Sequence, residues 1–133
     1  KEGLDITFSQ VAMRPGKPLM AGRLGRAPLI GLPGNPVSAM ICGKIFILPA
    51  LARMLGDDSD PAAPEQVPLT VDLPRNGPRQ HYMRAVRSAD GVAPMDRQDS
   101  SLLSILAKAD ALIVRPPDDP ARRVGDPVDV LPL

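Results

Sequence analysis

The chain's 133 residues, 44% of them hydrophobic, allow one domain or two small ones around an apolar core. Three aromatic residues, Phe8, Phe46 and Tyr82, with no Trp, leave too few stacking platforms for a single-stranded nucleic-acid binder. One cysteine, Cys42, rules out an intramolecular disulfide, and Lys44 or Pro49 interrupts every apolar run of about 18 residues, so a soluble cytoplasmic protein is expected, with no nucleic-acid or membrane partner.

The net charge of +1 conceals an asymmetry. From Ile6 to Gly56 there are six bases (Arg14, Lys17, Arg23, Arg26, Lys44 and Arg53) and no acid, whereas Asp57 to Leu133 carries nine bases against thirteen acids. A polyanionic ligand for the first half accounts for this, and so does a solvated basic surface balanced by an acidic second half. The 17 prolines punctuate apolar runs rather than clustering, which is the pattern of a loop-rich folded chain.

Lys1 to Leu4 has no initiator Met and no helix cap, and reads as the middle of something longer. Ile6 to Met13 has β character through Ile6, Phe8, Val11 and Met13. It ends at Arg14-Pro15-Gly16-Lys17-Pro18, where Pro15 and Gly16 suit the centre of a type II turn and put Arg14 and Lys17 on one side as a cationic clip. A basic surface turn fits the same residues. Leu19 to Leu24 is a second short strand, Gly25-Arg26 turns the chain, and Ala27 to Leu32 reads as a buried strand.

The first half is arranged around Gly31-Leu32-Pro33-Gly34-Asn35-Pro36-Val37-Ser38-Ala39. Pro33 and Gly34 turn the chain, Asn35 is a good N-cap whose side chain can accept from the N–H of Val37 or Ser38, and Pro36 takes the first helical position. The helix N-terminus then faces the end of the preceding strand, where an anion can be held. Helical spacing of Val37, Met40, Ile41, Ile45, Leu48, Ala52 and Leu55 carries the helix to the stop at Gly56. Its other side is apolar too, so it calls for cover from a larger α/β domain or a partner chain. Pro49 should kink it.

Residues 57–65, acidic and rich in small residues and proline, read as a linker between a unit at 1–56 and one at 66–133. Beyond it, Val67 to Leu73 alternates as a strand, and Asn76-Gly77 signals a hairpin into a strand at His81 to Val86. Val92 to Met95, Ala111 to Val114 and Pro127 to Leu131 complete five short strands, with a helical turn at Ser101 to Ala107. That set suggests a small open barrel or sandwich. No nucleophile elbow, zinc spacing, Walker loop or Rossmann glycine pattern is present, and His81, alone in a strand, reads as structural.

The clip at 14–18, the loop at 31–39 and Pro49-Ala50-Leu51 together resemble the molybdopterin molybdenumtransferases, the MoeA proteins, a family that includes the gephyrin E domain. Weaker similarity runs through Gln98 to Leu106 and Gly125 to Val130, so the resemblance spans the chain and marks it as similar to the C-terminal third of such proteins. It implies the end of a molybdopterin-binding α/β domain, then a C-terminal β-barrel-like domain. The implied activity is insertion of molybdate into adenylylated molybdopterin with release of AMP, assisted by Mg2+. Carried over residue by residue, Arg14, Lys17, Pro33, Gly34, Asn35, Pro36, Ser38 and Ser100 become the substrate-binding positions. Arg14 stands where the family usually has Lys, which keeps the charge but changes a point into a fork. Ser100 fits an N-cap equally well. The family's acidic catalytic residues precede the matched segment, so this chain alone is expected to be inactive. The resemblance further implies a homodimer in the full-length parent, with the molybdopterin adenylyltransferase as a candidate partner. A non-catalytic scaffold of the gephyrin type is the alternative.

Overall fold

The computed structural model describes residues 3–98 and 106–133. In the first half, strands β1 (Leu4–Phe8), β3 (Met20–Leu24) and β4 (Ala27–Gly31) form an antiparallel sheet in the order β1-β3-β4. The two-residue strand β2 (Met13–Arg14) leaves this sheet and belongs to another. The unbroken apolar run of β4 suggested burial, yet Ala27 and Pro28 are exposed and Leu29 to Gly31 only half-buried. The reason lies in the neighbouring strands: Leu4, Ile6 and Phe8 of β1 are themselves exposed, so no second layer covers this sheet among the described residues.

The helix begins as the loop chemistry dictates. Asn35 Oδ1 accepts the Ser38 N–H at 3.1 Å, with Pro36 in the first turn. The helix runs Pro36–Met54 in three parts: α1 (Pro36–Cys42), a π-helical segment (Gly43–Ile47) and α2 (Leu48–Met54). In the π segment the Leu48 N–H donates to the Gly43 carbonyl, five residues back. Pro49 follows at the start of α2, so the irregularity expected at the proline is a widened turn just ahead of it. Gly56, at φ 76°, ends the helix in a Schellman motif: its N–H donates to Arg53 O at 3.2 Å and that of Asp57 to Ala52 O at 2.9 Å.

Val37, Ile41, Cys42 and Ala52 face inward, whereas Met40, Leu48, Leu51 and Met54 stay exposed, Met54 at 70%. The all-round apolar helix is therefore covered on one side only by the described residues. Contrary to the expectation that Lys44 and Pro49 break the run, this helix is long and apolar enough to cross a membrane by length and composition alone.

In the second half, β6 (Gln80–Ser88), β8 (Ala111–Arg115), β9 (Pro127–Pro132) and β5 (Glu65–Pro68) lie side by side, and β7 (Gly91–Pro94) pairs with β6. The sheet's order is β2-β6-β8-β9-β5, so one strand of the first half is built into it. The expected strand at Val67 to Leu73 shortens to β5, after which Leu69 makes a single parallel bridge to Val92. That bridge brings β5 towards β7 without a ladder, leaving the barrel open. It needs Gly91 (φ 141°), where a Cβ would fall 2.2 Å from the Pro68 carbonyl oxygen.

Asn76-Gly77 makes no two-residue hairpin, because β5 pairs with β9 while β6 pairs with β8. The Asn76 Nδ2 instead donates to the carbonyls of Arg79 (3.0 Å) and Pro116 (2.6 Å), tying two loops together. The helical turn expected at Ser101 to Ala107 lies mostly outside the described residues; Leu106, within them, is buried.

Two cores flank this sheet. One is made by Leu69, Leu73, Ala85, Val92, Ala111, Ile113, Val128 and Val130. The other joins Met13, Leu19, Val37, Ile41 and Cys42 of the first half to Tyr82, Leu106, Leu112 and Leu131 of the second. Each Val, Leu, Ile or Met side chain fully buried there contributes about 1.5–3 kcal/mol.

Beside the sheet, Arg115 and Asp119 are buried as an ion pair, with Arg122 on the same carboxylate. The Arg115 Nη2 also donates to the carbonyls of Pro74 (3.1 Å) and Pro120 (2.8 Å). Burial pushes the Asp119 carboxyl up, but the hydrogen bonds and charges of Arg122 and Arg115 outweigh it and hold the group below its ordinary range. Its stabilising effect is thus present above the ordinary carboxylate range and is lost as pH falls through the lowered folded value. Asp119→Asn should cost about 3–5 kcal/mol in urea denaturation, because it strands Arg115 as a buried, unpaired charge.

Candidate functional site

The site is a gap along one edge of β6. That edge pairs with β2 at Gln80 and His81 and with β7 from Ala85 to Ser88. Between these partners the side chain of Gln98 docks on the backbone of Arg84, its Oε1 accepting the Arg84 N–H at 2.9 Å and its Nε2 donating to the Arg84 carbonyl at 2.8 Å. Around the gap opens a cavity of about 490 Å³, lined by Met13 to Pro18, Ser38, Arg79, His81, Tyr82, Arg84 and Gln98.

The clip reaches this edge through backbone bonds. The Val11 N–H donates to Lys17 O at 2.9 Å, the Leu19 N–H to Gly16 O at 3.1 Å, and the Gln80 N–H to Ala12 O at 3.0 Å. Gly16, at φ 105°, has the positive φ expected of it, but the hydrogen-bonded turn closes from Gly16 O to the Leu19 N–H, so its centre is Lys17-Pro18 rather than Pro15-Gly16; the Arg14–Pro15 peptide is cis. The bend is pressed against the helix: a Cβ on Gly16 would lie 2.6 Å from Cys42 Sγ. Burial pushes the Cys42 thiol up to about 11, so the cysteine acts as an unreactive packing group beneath the clip.

Arg14, Lys17, Arg79 and Arg84 line the cavity, and among the described residues no carboxylate does. Among the described residues Arg14, Lys17 and Arg79 form no ion pair. Three carboxylates of the second half are engaged elsewhere, Asp72 with Arg123, Glu65 with Arg87 and Asp119 with Arg115. A concave surface with uncompensated positive charge concentrates anions. His81 registers the same field: burial first, then the charges of Arg14, Arg84, Arg115 and Arg79, hold its imidazole down at about 4. Tyr82 is buried beside it, and its hydroxyl accepts from Gln80 Nε2 at 2.6 Å.

Of the expected site residues, Arg14, Lys17 and Ser38 come together on this cavity. Pro33, Gly34, Asn35 and Pro36 are not among the residues that line it. Asn35 is occupied as the cap, and Pro36 carries no N–H to offer an anion. Ser100 lies outside the described residues. Sequence reasoning missed Arg79, Arg84 and Gln98 and assigned His81 a structural place. The signal available was three bases, Arg79, His81 and Arg84, around one strand in an otherwise acidic half. Among the described residues no group of three His, Cys, Asp or Glu side chains is placed to hold a metal ion.

An α/β segment and a β unit thus share one core and one cavity lined by cationic side chains. Residues 66–133 match the MoeA C-terminal region (domain IV), and residues 1–53 match a probable molybdopterin binding domain. The chain belongs to the MoeA family. It is 30% identical over 135 residues to the molybdopterin molybdenumtransferase of Bacillus subtilis (strain 168), spanning 98% of this chain and 31% of that protein. Against the molybdopterin molybdenumtransferase 2 of Mycobacterium tuberculosis (strain ATCC 25618 / H37Rv) it is 35% identical over 116 residues, 85% of this chain and 28% of the relative. The fold matches the crystal structure of the molybdopterin biosynthesis MoeA protein from Pyrococcus horikoshii OT3 at a TM-score of 0.80 and 22% identity, over 97% of this chain and 33% of that one. The chain thus spans about a third of the length of these relatives.

The depressed His81 value gives stability a pH dependence whose sign is fixed. Between the ordinary imidazole value of 6.5 and about 4 the unfolded chain binds a proton that the folded chain refuses, so stability falls as pH drops through that window. Urea midpoints measured from pH 7 to 4 should fall more steeply for the native chain than for His81→Gln.

Proposed function

We propose that this chain supplies the anion-binding part of an enzyme that inserts molybdate into adenylylated molybdopterin, releasing AMP. The observation that carries the reading is the cavity itself: Arg14 and Lys17 from one half, Arg79 and Arg84 from the other, and no carboxylate in the lining among the described residues. Both substrates are anionic, the pterin through its phosphate and dithiolene and molybdate as an oxoanion. Arg14 presents a flat fork suited to two oxygens of one phosphate, and Lys17 a point charge that follows whichever oxygen is nearest. Ser38, buried beneath the clip, adds a hydroxyl. Ser100 stays a substrate contact implied by the family resemblance alone, and Pro33, Gly34, Asn35 and Pro36 are kept as the loop that positions the helix and Ser38. In this reading 1–56 and 66–133 act as two units joined at 57–65, the cavity between them.

Proton transfers and any Mg2+ belong to acidic residues preceding the matched segment, so the chain by itself binds and orients without turning over. The parent works in the cytoplasm as a homodimer, a reading supported by the exposed apolar face of Met40, Leu48, Leu51 and Met54. Because its substrate is adenylylated, an adenylyltransferase must supply it.

Lys17→Ala and Arg14→Ala should each weaken molybdopterin binding by about tenfold to a hundredfold, the loss of one charge-assisted hydrogen bond. Both should also lower cofactor maturation in the full-length parent; unchanged affinity and maturation would remove this function. Sedimentation of the 133-residue chain should show self-association, and a monodisperse monomer would count against the dimer.

A further inference from the structure

We propose that His81 couples anion binding to proton uptake: it is the neutral member of the cationic cavity, and it takes a proton from solvent when a doubly charged tetrahedral oxoanion settles among Arg14, Lys17 and Arg79. This rests on the cavity's being an anion site, and goes beyond it by giving one side chain a separate task.

The geometry sets the argument. His81 lies in β6 between two arginines in register, Arg14 of β2 on one side and Arg115 of β8 on the other. Along its own strand and the approach to it come Arg84 and Arg79. Among the described residues the charged groups acting on the imidazole are cations; Arg14 and Arg79 form no ion pair there, whereas Arg115 is paired with the buried carboxylate of Asp119. A half-buried imidazole in such company stays neutral, since a further positive charge would be repelled and poorly solvated.

A dianion in the cavity reverses the balance. It offsets two of the surrounding positive charges and offers oxygens that an imidazolium N–H can donate to, so the protonated ring becomes the favoured form. The proton comes from water or buffer, a ring nitrogen takes it, and no other bond is made or broken. By linkage, the anion must then bind more tightly as pH falls between the free and bound titration midpoints. A monoanion offsets less charge and gains less from the second donor. His81 is therefore a positioning residue that favours a dianionic tetrahedral group, whether a free oxoanion or the end of a phosphomonoester.

His81 is the chain's only histidine, so one imidazole signal reports on it without assignment. The test follows that signal by NMR from pH 7.5 to 4 in the 133-residue chain, alone and with saturating sulfate, which stays dianionic throughout, then with phenyl phosphate. The midpoint should rise from about 4 to roughly 5 or above with at least one probe. Isothermal titration should show sulfate binding about fivefold tighter at pH 4 than at pH 7, and this pH dependence should vanish in His81→Gln and His81→Asn. A larger shift with phenyl phosphate assigns the subsite to a phosphoester terminus, and a larger one with sulfate to a free oxoanion. If both probes bind while the His81 midpoint stays put, the coupling is wrong and the anion site stands. If neither binds, both fall.

Discussion

Two residue pairs of parallel backbone, Met13 with Gln80 and Arg14 with His81, hold the two halves of this chain in one arrangement. They are the whole of strand β2, and a two-residue strand is weak alone. What fixes it is the core behind it, where Met13 and Leu19 pack with helix residues Val37, Ile41 and Cys42 against Tyr82, Leu112 and Leu131. Water is excluded from the back of the pairing while its front, Arg14 and Lys17, stays exposed at the cavity mouth. Apolar burial thereby positions a set of charges that would repel one another if they were free to move apart.

That repulsion is the cost of the site, and the structure shows how it is contained. Among the described residues, carboxylates of the second half pair with Arg87, Arg115, Arg122 and Arg123, none of which lines the cavity. Asp119, shielded from water and gripped by two guanidiniums, stabilises the loop after β8 and also removes Arg115 from the count of uncompensated cations. His81 completes the arrangement by staying uncharged. In the proposed coupling, a ligand bearing negative charge relieves the remaining repulsion in the cavity and so favours protonation of His81.

The helix shows the same division between local chemistry and context. Its start, its stop and its one irregularity follow from Asn35, Pro36, Gly56 and Pro49, each acting within a turn of its own position. Its outer face, with Met40, Leu48, Leu51 and Met54 exposed, has no such local answer. The chain covers about a third of its relatives' length, and an apolar face of this kind calls for a layer that the described residues do not supply.

The amino-acid order alone determined the helix with its caps, the main strands β3, β4, β6, β7, β8 and β9, the cationic clip and the kinship carried by residues 14–18 and 31–39, because all of these depend on neighbours a few residues apart. It also misdirected in two places. Asn76-Gly77 looked like a hairpin because that dipeptide suits one, but the strands on either side take other partners, and strand partnership is settled by the cores rather than by the turn. The charge split between halves pointed to Arg14 and Lys17 while hiding Arg79 and Arg84, since net charge sums over residues that never share a surface. Only the tertiary structure decided that β2 crosses into the second sheet, that four cations from two halves line one cavity, and that a single histidine lies among them. Those facts depend on contacts some 65 residues apart, and no local spacing encodes which edge of a sheet a distant strand will choose.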